Sequence, residues 1–433
     1  MDSINFKIEG GKKLHGKVEI KKSKNAAVAL LCASLLNQGK TTLKKMPRIE
    51  EVFRIIEVLE SVGVKCDWKE ADLTLTPPKK INLSKISRSS AEKTRSIIMM
   101  IGPLVHSFKN FKIPYAGGCK LGDRTVAPHF HALENFGIKI ETKEKDYHIS
   151  HKELHGSEFV LYESGDTVTE NAILAAAKIQ GKTTIKFASS NYMVQDLCHF
   201  LLALGVDIKG ISTSTLEIIG KEKISEDIVF EMSEDPIEAM FFLSSAIVTK
   251  SSIEILRCPI DFLALELLKL EKMNFKYKIT RRYKGENGFV NLVDIKTFGS
   301  ELKALPEKIH ALPYPGINID NLPFFAVIGT VAEGETFIHD FLYEKRAIYY
   351  TELEKLGAEV FLADPHRFFV KGKKELRSAE IVAPPALRPA AIILIGMLAA
   401  KGISILRNVY SINRGYEDLA KRLGSLGAQI ESF

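Results

Sequence analysis

Three basic residues stand at the starts of apolar, helix-like stretches: Lys24 before Asn25-Ala26-Ala27, Arg95 before Ser96-Ile97-Ile98, and Arg388 before Pro389-Ala390-Ala391. A cation at the positive end of a helix dipole is mildly unfavourable. Its repetition points to an anion at those ends, where backbone N–H groups, the dipole and the side-chain charge add together. Three more arginines, Arg124, Arg346 and Arg414, precede the second helices of the pattern described below. Cations in this number suit a ligand that carries phosphate and carboxylate. Arg124 ends a glycine-rich stretch, Ala116-Gly117-Gly118-Cys119-Lys120-Leu121-Gly122-Asp123-Arg124. A thiol between glycines and lysines is in the setting that favours a thiolate and exposes it, so Cys119 is the candidate reactive cysteine, with an inert turn thiol as the alternative. Cys32, Cys66, Cys198 and Cys258 lie in or beside apolar stretches and read as buried small hydrophobes. Thr169, Asp235 and Asp320 are N-cap types at the starts of three other apolar stretches.

The elements that carry these residues repeat. A short strand follows a glycine or polar turn, a helix follows the strand, and the helix closes on Leu-x-x-Leu-Gly before another strand. The closing positions are 63, 137, 205, 274, 357 and 427, the fourth being Asn274, so six units of about 70 residues account for the chain. Each unit has an earlier helix that is apolar nearly all round: Asn25–Leu36, Arg95–Val105, Glu170–Ile179, Glu238–Val248, Asp320–Val331 and Arg388–Ala400. These should be buried, whereas Glu51–Ser61 and Glu417–Ser425 show a charged face and should lie outside. Strands and helices alternate in every unit, which predicts an α/β class with three units in each of two lobes. A solenoid is the alternative, but such units exceed the usual 20–50 residues of solenoid repeats.

With 433 residues the chain is too long for one core. Hydrophobic residues at 45% exclude a disordered chain. No apolar run reaches a membrane-spanning length, and the N-terminus lacks the apolar region of a signal peptide. Five cysteines, scattered and odd in number, suggest neither a disulfide framework nor a zinc site and fit a reducing cytoplasm. A net charge of +7 is slight for this length and does not by itself suggest nucleic acid.

Several motifs, in order, carry a resemblance. They are Lys24-Asn25-Ala26-Ala27, Gly102-Pro103-Leu104-Val105, Gly117-Gly118-Cys119-x-x-Gly122-x-Arg124, and Thr169-Glu170-Asn171. Pro313-Tyr314-Pro315-Gly316-x-x-x-Asp320, Val331-Ala332-Glu333-Gly334, Glu344-x-Arg346 and Arg414-Gly415-Tyr416-Glu417 follow. On these the chain resembles the enolpyruvyl transferases of the UDP-N-acetylglucosamine 1-carboxyvinyltransferase type, over essentially its whole length. The resemblance implies a two-lobed inside-out α/β barrel of six βαβαββ-like units, with the active site in the interlobe cleft. It implies residues 22–235 as one lobe and residues 1–21 with 236–433 as the other.

The resemblance also implies the chemistry. The enolpyruvyl group of phosphoenolpyruvate would pass to the 3′-hydroxyl of UDP-N-acetylglucosamine with loss of phosphate, the first committed step of peptidoglycan synthesis. Cys119 would protonate C3 of phosphoenolpyruvate and react with an epoxide phosphonate such as fosfomycin, and Asp320 would take the hydroxyl proton. Lys24, Arg95, Arg124, Arg346, Arg388 and Arg414 would hold the anions, and Asn25 the sugar. The stretch Arg124-Thr125-Val126-Ala127-Pro128-His129 would line a uridine pocket, with Ser164-Gly165 and Thr167 near the diphosphate. His129 and His131, two apart, would share a face if that segment were a strand. The partners would be these two small molecules, with no cofactor, metal, nucleic acid or membrane, in a cytoplasmic monomer or weak homo-oligomer. Four positions depart from the family pattern: Ala386 and Asn413 replace Asp, Pro236 replaces Arg, and Met99 replaces an aromatic residue. They leave a divergent, low-activity or non-catalytic UDP-sugar-binding paralogue as one alternative, and transfer to shikimate 3-phosphate is the other.

Overall fold

The computed structural model describes residues 4–117 and 125–433. Among these the chain forms two compact units, one holding residues 4–21 and 234–433, the other residues 22–117 and 125–233. No helix is long and apolar enough to cross a membrane among the described residues.

Each unit carries three small sheets, and one repeat shows how a sheet arises. Strand Glu158–Val160 leads into helix Asp166–Ala176 and then strand Lys182–Lys186, which pairs parallel to the first strand. Helix Tyr192–Ala203 follows, and then strands Asp207–Lys209 and Thr215–Ile219, antiparallel to each other. The last strand returns beside Lys182–Lys186, so the repeat is βαβαββ. Four other sheets have the same four-stranded arrangement. The sixth has three strands, Asn110–Pro114, Asp146–His151 and Ile138–Lys143. There the 3-10 turn Leu83–Lys85 packs against Asn110–Pro114 instead of a parallel strand.

Distant parts of the sequence complete three of these sheets. Phe6–Gly10 inserts antiparallel between Gly402–Arg407 and Gln429–Ser432. Lys17–Glu19 pairs parallel to Glu254–Pro259. In the other unit Ile228–Glu231 pairs parallel to the early strand Thr41–Lys44. The chain thus enters one unit, crosses to the other, and returns.

The apolar helices are buried, as their composition requires. Every residue of Pro236–Val248 is inside, as are nearly all those of Leu387–Ala399. Burial of each large apolar side chain contributes about 1.5–3 kcal/mol. Helix Glu50–Ser61 instead buries only the stripe of Val52, Ile55, Ile56, Val58 and Leu59 together with Glu51.

All six closing positions adopt the left-handed conformation: Gly63, Gly137, Gly205, Gly357 and Gly427 with φ between 82° and 106°, and Asn274 with φ 71°. Glycine, and asparagine among other residues, adopts this conformation at least cost. At five of them two hydrogen bonds wrap the helix end. Gly205 N–H donates to Leu202 O at 2.9 Å and Val206 N–H to Leu201 O at 3.0 Å. The same pair recurs after Leu59, Leu270, Leu353 and Leu423. The Leu-x-x-Leu-Gly signature is a helix C-cap whose leucines also fill the core.

Several local expectations change. Thr169 is no N-cap: its helix begins at Asp166 behind Gly165, and its hydroxyl donates to Gly165 O at 2.8 Å. Asp320 is no cap either, because the regular helix spans only Phe324–Gly329. Asp235 does cap, accepting from Ile237 N–H at 2.8 Å and Glu238 N–H at 3.3 Å. The Arg95–Val105 stretch is a 3-10 helix, Arg95–Met100, continued by one α turn, Ile101–Leu104. Cys32, Cys198 and Cys258 are buried, but Cys66 is only half-buried because it lies on strand Lys65–Lys69, at the edge of its sheet.

Candidate functional site

The candidate residues fall on both units. In the unit of residues 234–433, Asp320 sits in a turn held from behind by a buried acid. Glu266 accepts from Asn318 N–H at 3.0 Å and Asn321 Nδ2 at 2.9 Å, and Asn318 Oδ1 accepts from Asp320 N–H at 2.8 Å. Burial raises the Glu266 pKa, and these donors oppose the rise. The turn holds Asp320 against two guanidinium groups. Arg388 Nη2 donates to Asp320 Oδ2 at 3.2 Å, and Arg346 Nη1 lies 3.9 Å from Asp320 Oδ1.

Each arginine is itself positioned. Arg388 lies in the first turn of helix Leu387–Ala399, and its Nη1 donates to Tyr416 Oη at 3.0 Å. Tyr416 is pushed above the ordinary tyrosine range by burial, so it stays a neutral hydroxyl at physiological pH. Arg346 is 1% exposed and gripped by Asp340, through Nε to Oδ2 at 2.6 Å and Nη2 to Oδ1 at 2.8 Å. Tyr350 Oη also donates to Asp340 Oδ2, at 2.6 Å. Burial alone would lower the Arg346 pKa, but Tyr350 and Asp340 push it upward, so the guanidinium stays charged. Its Nη1, with no hydrogen-bond partner among the described residues, is the donor left on the Asp320 side. Arg414 is half-buried at the end of the short helix Tyr410–Asn413.

Asp340 is the strongest structural partner here. Asp340→Ala leaves the buried Arg346 charge without its bidentate acceptor, which costs about 3–5 kcal/mol. Urea unfolding should read that loss, and a change below about 1 kcal/mol, the size of a surface ion pair, would contradict the assignment.

In the unit of residues 22–233, Lys24 and Asn25 open helix Lys24–Ala33, capped by Ser23 Oγ accepting from Ala26 N–H at 3.1 Å. Lys24 Nζ donates to Asn25 Oδ1 at 3.0 Å, and Asn25 Nδ2 to Tyr192 Oη at 3.2 Å. Both are half-buried, so Tyr192, which is fully buried, fixes the carboxamide from below. Arg95 starts its 3-10 helix behind Thr94, whose hydroxyl accepts from Ser96 N–H at 3.2 Å and donates to Glu51 Oε1 at 2.5 Å. Arg95 Nη2 donates to Thr125 O at 2.9 Å, so the backbone before helix Ala127–Glu134 is tied to that cation. Val126 is the N-cap position of this helix, and Thr125 Oγ1 accepts from Ala127 N–H at 3.1 Å.

The segment is a helix, not a strand, so His129 and His131 separate. His129 is buried, while His131 faces solvent, 3.8 Å from Glu134. Thr167 lies 3.4 Å from His129 Nε2. Ser164 and Gly165 form the half-buried turn before helix Asp166–Ala176. Cys119 and Arg124 lie outside the described residues.

The four unusual positions have local accounts to different degrees. Pro236 is the first residue of its helix, where its missing N–H costs nothing, right after the Asp235 cap. Ala386 is fully buried at an N-cap position and supplies no side-chain cap. Met99 is buried in the 3-10 helix. Nothing in the structure explains Asn413.

Asp340, Tyr350, Tyr192 and Asn171 were not evident as positioning groups from the sequence. Asp340 follows a strand and reads as an ordinary turn acid. Its partner Arg346 is six residues on, a spacing at which helix side chains do not meet.

A family model described as EPSP synthase (3-phosphoshikimate 1-carboxyvinyltransferase) matches residues 8–423. A Treponema denticola protein named UDP-N-acetylglucosamine 1-carboxyvinyltransferase is 33% identical over 424 residues, 98% of each chain. One of the same name from Borreliella burgdorferi is 32% identical, again over 98% of each chain. Among solved structures, the enolpyruvyl transferase NikO from Streptomyces tendae superposes with a TM-score of 0.86 at 21% identity, covering 100% of this chain and 99% of that one. EPSP synthase from Acinetobacter baumannii superposes with a TM-score of 0.76 at 18% identity, over 100% of both. These two likenesses establish the fold alone. With the family model spanning nearly all of its length and full-length relatives above 30% identity, the chain belongs to the EPSP synthase family of enolpyruvyl (1-carboxyvinyl) transferases.

Proposed function

We propose that the protein transfers the enolpyruvyl group of phosphoenolpyruvate to the 3′-hydroxyl of UDP-N-acetylglucosamine and releases phosphate. This would be the first committed step of peptidoglycan synthesis. The observation that carries the reading is full-length similarity, at 30–33% identity, to proteins named for that reaction. The four described cysteines are all free, which suits a cytoplasmic setting.

The residues divide the work by their chemistry. Asp320 takes the 3′-hydroxyl proton as the oxygen attacks C2, while Cys119 delivers a proton to C3. A C–O bond forms, the C2–C3 double bond becomes single, and a tetrahedral phospholactoyl ether results. Loss of a C3 proton then restores the double bond as the C2–O bond to phosphate breaks. Arg388 and Arg346 flank Asp320 and suit the carboxylate and phosphate charges, joined by Arg414. Lys24, Arg95 and Arg124 would supply further cations, and Asn25 a carboxamide for the sugar. Thr125, Val126 and His129 would face the uridine, and Ser164 and Gly165 the diphosphate, at the start of helix Asp166–Ala176.

The rival acceptor is shikimate 3-phosphate, for which the matching family model is named. The Gly117-Gly118-Cys119 stretch and the Arg124–129 stretch argue against it. Phosphate release from phosphoenolpyruvate should be seen with UDP-N-acetylglucosamine and stay at background with shikimate 3-phosphate. The reverse pattern would sink the acceptor assignment. Background release with both would favour a non-catalytic paralogue.

A further inference from the structure

Asn171 is fully buried, and each polar atom of its carboxamide has a partner that fixes its orientation. Its Oδ1 accepts from Gly102 N–H at 2.9 Å, and its Nδ2 donates to Ile98 O at 3.1 Å. A backbone N–H can meet only the oxygen and a backbone carbonyl only the nitrogen, so the amide cannot be turned over. Gly102 makes the first contact possible, because a Cβ there would stand 2.8 Å from Asn171 Oδ1.

The second Nδ2 hydrogen then has one destination. His129 Nδ1 lies 3.2 Å away and must receive it through a lone pair. A proton on Nδ1 would face the amide N–H directly. The ring proton therefore sits on Nε2, beside the exposed Thr167, whose Oγ1 is 3.4 Å off, and which directly precedes Val168 and Thr169 in the first turns of helix Asp166–Ala176.

We propose that Asn171 is a positioning residue that holds His129 as the Nε2–H tautomer, so that the imidazole meets the nucleotide sugar only as a donor, to an acceptor oxygen of its UDP moiety. The ligand half rests on the UDP-sugar reading above, and the tautomer half does not. An oxygen on the ligand is accepted at this point and a donor group is rejected, which makes the buried Asn171 a source of specificity without touching ligand.

The test is a long-range proton–nitrogen correlation spectrum of the full chain labelled with 15N-histidine, without ligand. His129→Gln identifies the His129 signals by their loss. Wild type should show Nδ1 unprotonated and Nε2 protonated. A proton on Nδ1, alone or with one on Nε2, overturns the proposal. Asn171→Asp has no hydrogen to offer, so it should draw the ring proton to Nδ1 and weaken UDP-N-acetylglucosamine binding about tenfold, the loss of one hydrogen bond. An unchanged tautomer in that variant overturns the positioning role. Should Asn171→Asp not fold, the wild-type spectrum still decides the tautomer. The predicted tautomer in a wild type that fails to bind UDP-N-acetylglucosamine would overturn the nucleotide-sugar reading alone.

Discussion

Asp320→Asn should lower kcat by roughly a hundred- to ten-thousandfold, the range spanned by loss of a general base. Asparagine keeps the shape and can still accept from Arg388 Nη2, now 3.2 Å from Asp320 Oδ2, so the site should stay assembled. What disappears is the negative charge. Arg388 and Arg346 then face the substrate with one compensating carboxylate fewer. The KM for phosphoenolpyruvate should therefore hold or fall while kcat collapses. That split separates lost proton transfer from simple damage, which would raise KM and lower stability together. A kcat within tenfold of wild type would remove Asp320 from the base role.

The second large effect concerns Cys119. Cys119→Ser should cut turnover by at least about a hundredfold and leave UDP-N-acetylglucosamine binding intact, since a hydroxyl is a far poorer acid than a thiol. An epoxide phosphonate such as fosfomycin should add once, with the thiolate opening the ring, a C–S bond forming, a C–O bond breaking and the alkoxide taking a proton. The other four thiols explain why a single adduct is expected. Burial pushes Cys66 and Cys198 up to about 12, which leaves a thiolate fraction of roughly one part in 10⁵ at pH 7. Cys32 is raised further and Cys258 lies well above its ordinary value, again by burial. Cys66 is the least buried of the four, so peptide mapping that finds the label there would count against the reactive Cys119.

Much of the fold was legible because its signals are local. The closing Leu-x-x-Leu-Gly pattern spans one helix end, and each of the six positions takes the left-handed conformation for which glycine or asparagine is suited. The apolar helices were equally plain, since a helix with no polar face must be surrounded. The exchange of chain ends between sheets was implied by the family resemblance, because residue spacing alone carries no trace that Phe6–Gly10 lies beside Gly402–Arg407.

The site was legible in kind more than in detail. Asp320 was singled out as a possible cap by its residue type, yet it serves no helix and meets two arginines brought from residues 346 and 388. Thr169 misled for the same reason: cap types mark turns of several kinds, and its helix had already begun. His129 was read through its neighbour two residues on, a strand spacing, while helix Ala127–Glu134, with Pro128 in its first turn, puts His131 on the outside. Asp340 and Asn171 were invisible as positioning groups because what defines them is partners in other segments, Arg346 and Tyr350 for one, Gly102, Ile98 and His129 for the other.

The most direct measurement is to incubate the protein with phosphoenolpyruvate and UDP-N-acetylglucosamine and follow released phosphate and nucleotide-sugar mass together. The account predicts one phosphate for each UDP-N-acetylglucosamine that gains an enolpyruvyl ether, with both signals lost in Asp320→Asn. Phosphate released without any enolpyruvyl ether, or an ether formed equally well by Asp320→Asn, would contradict it.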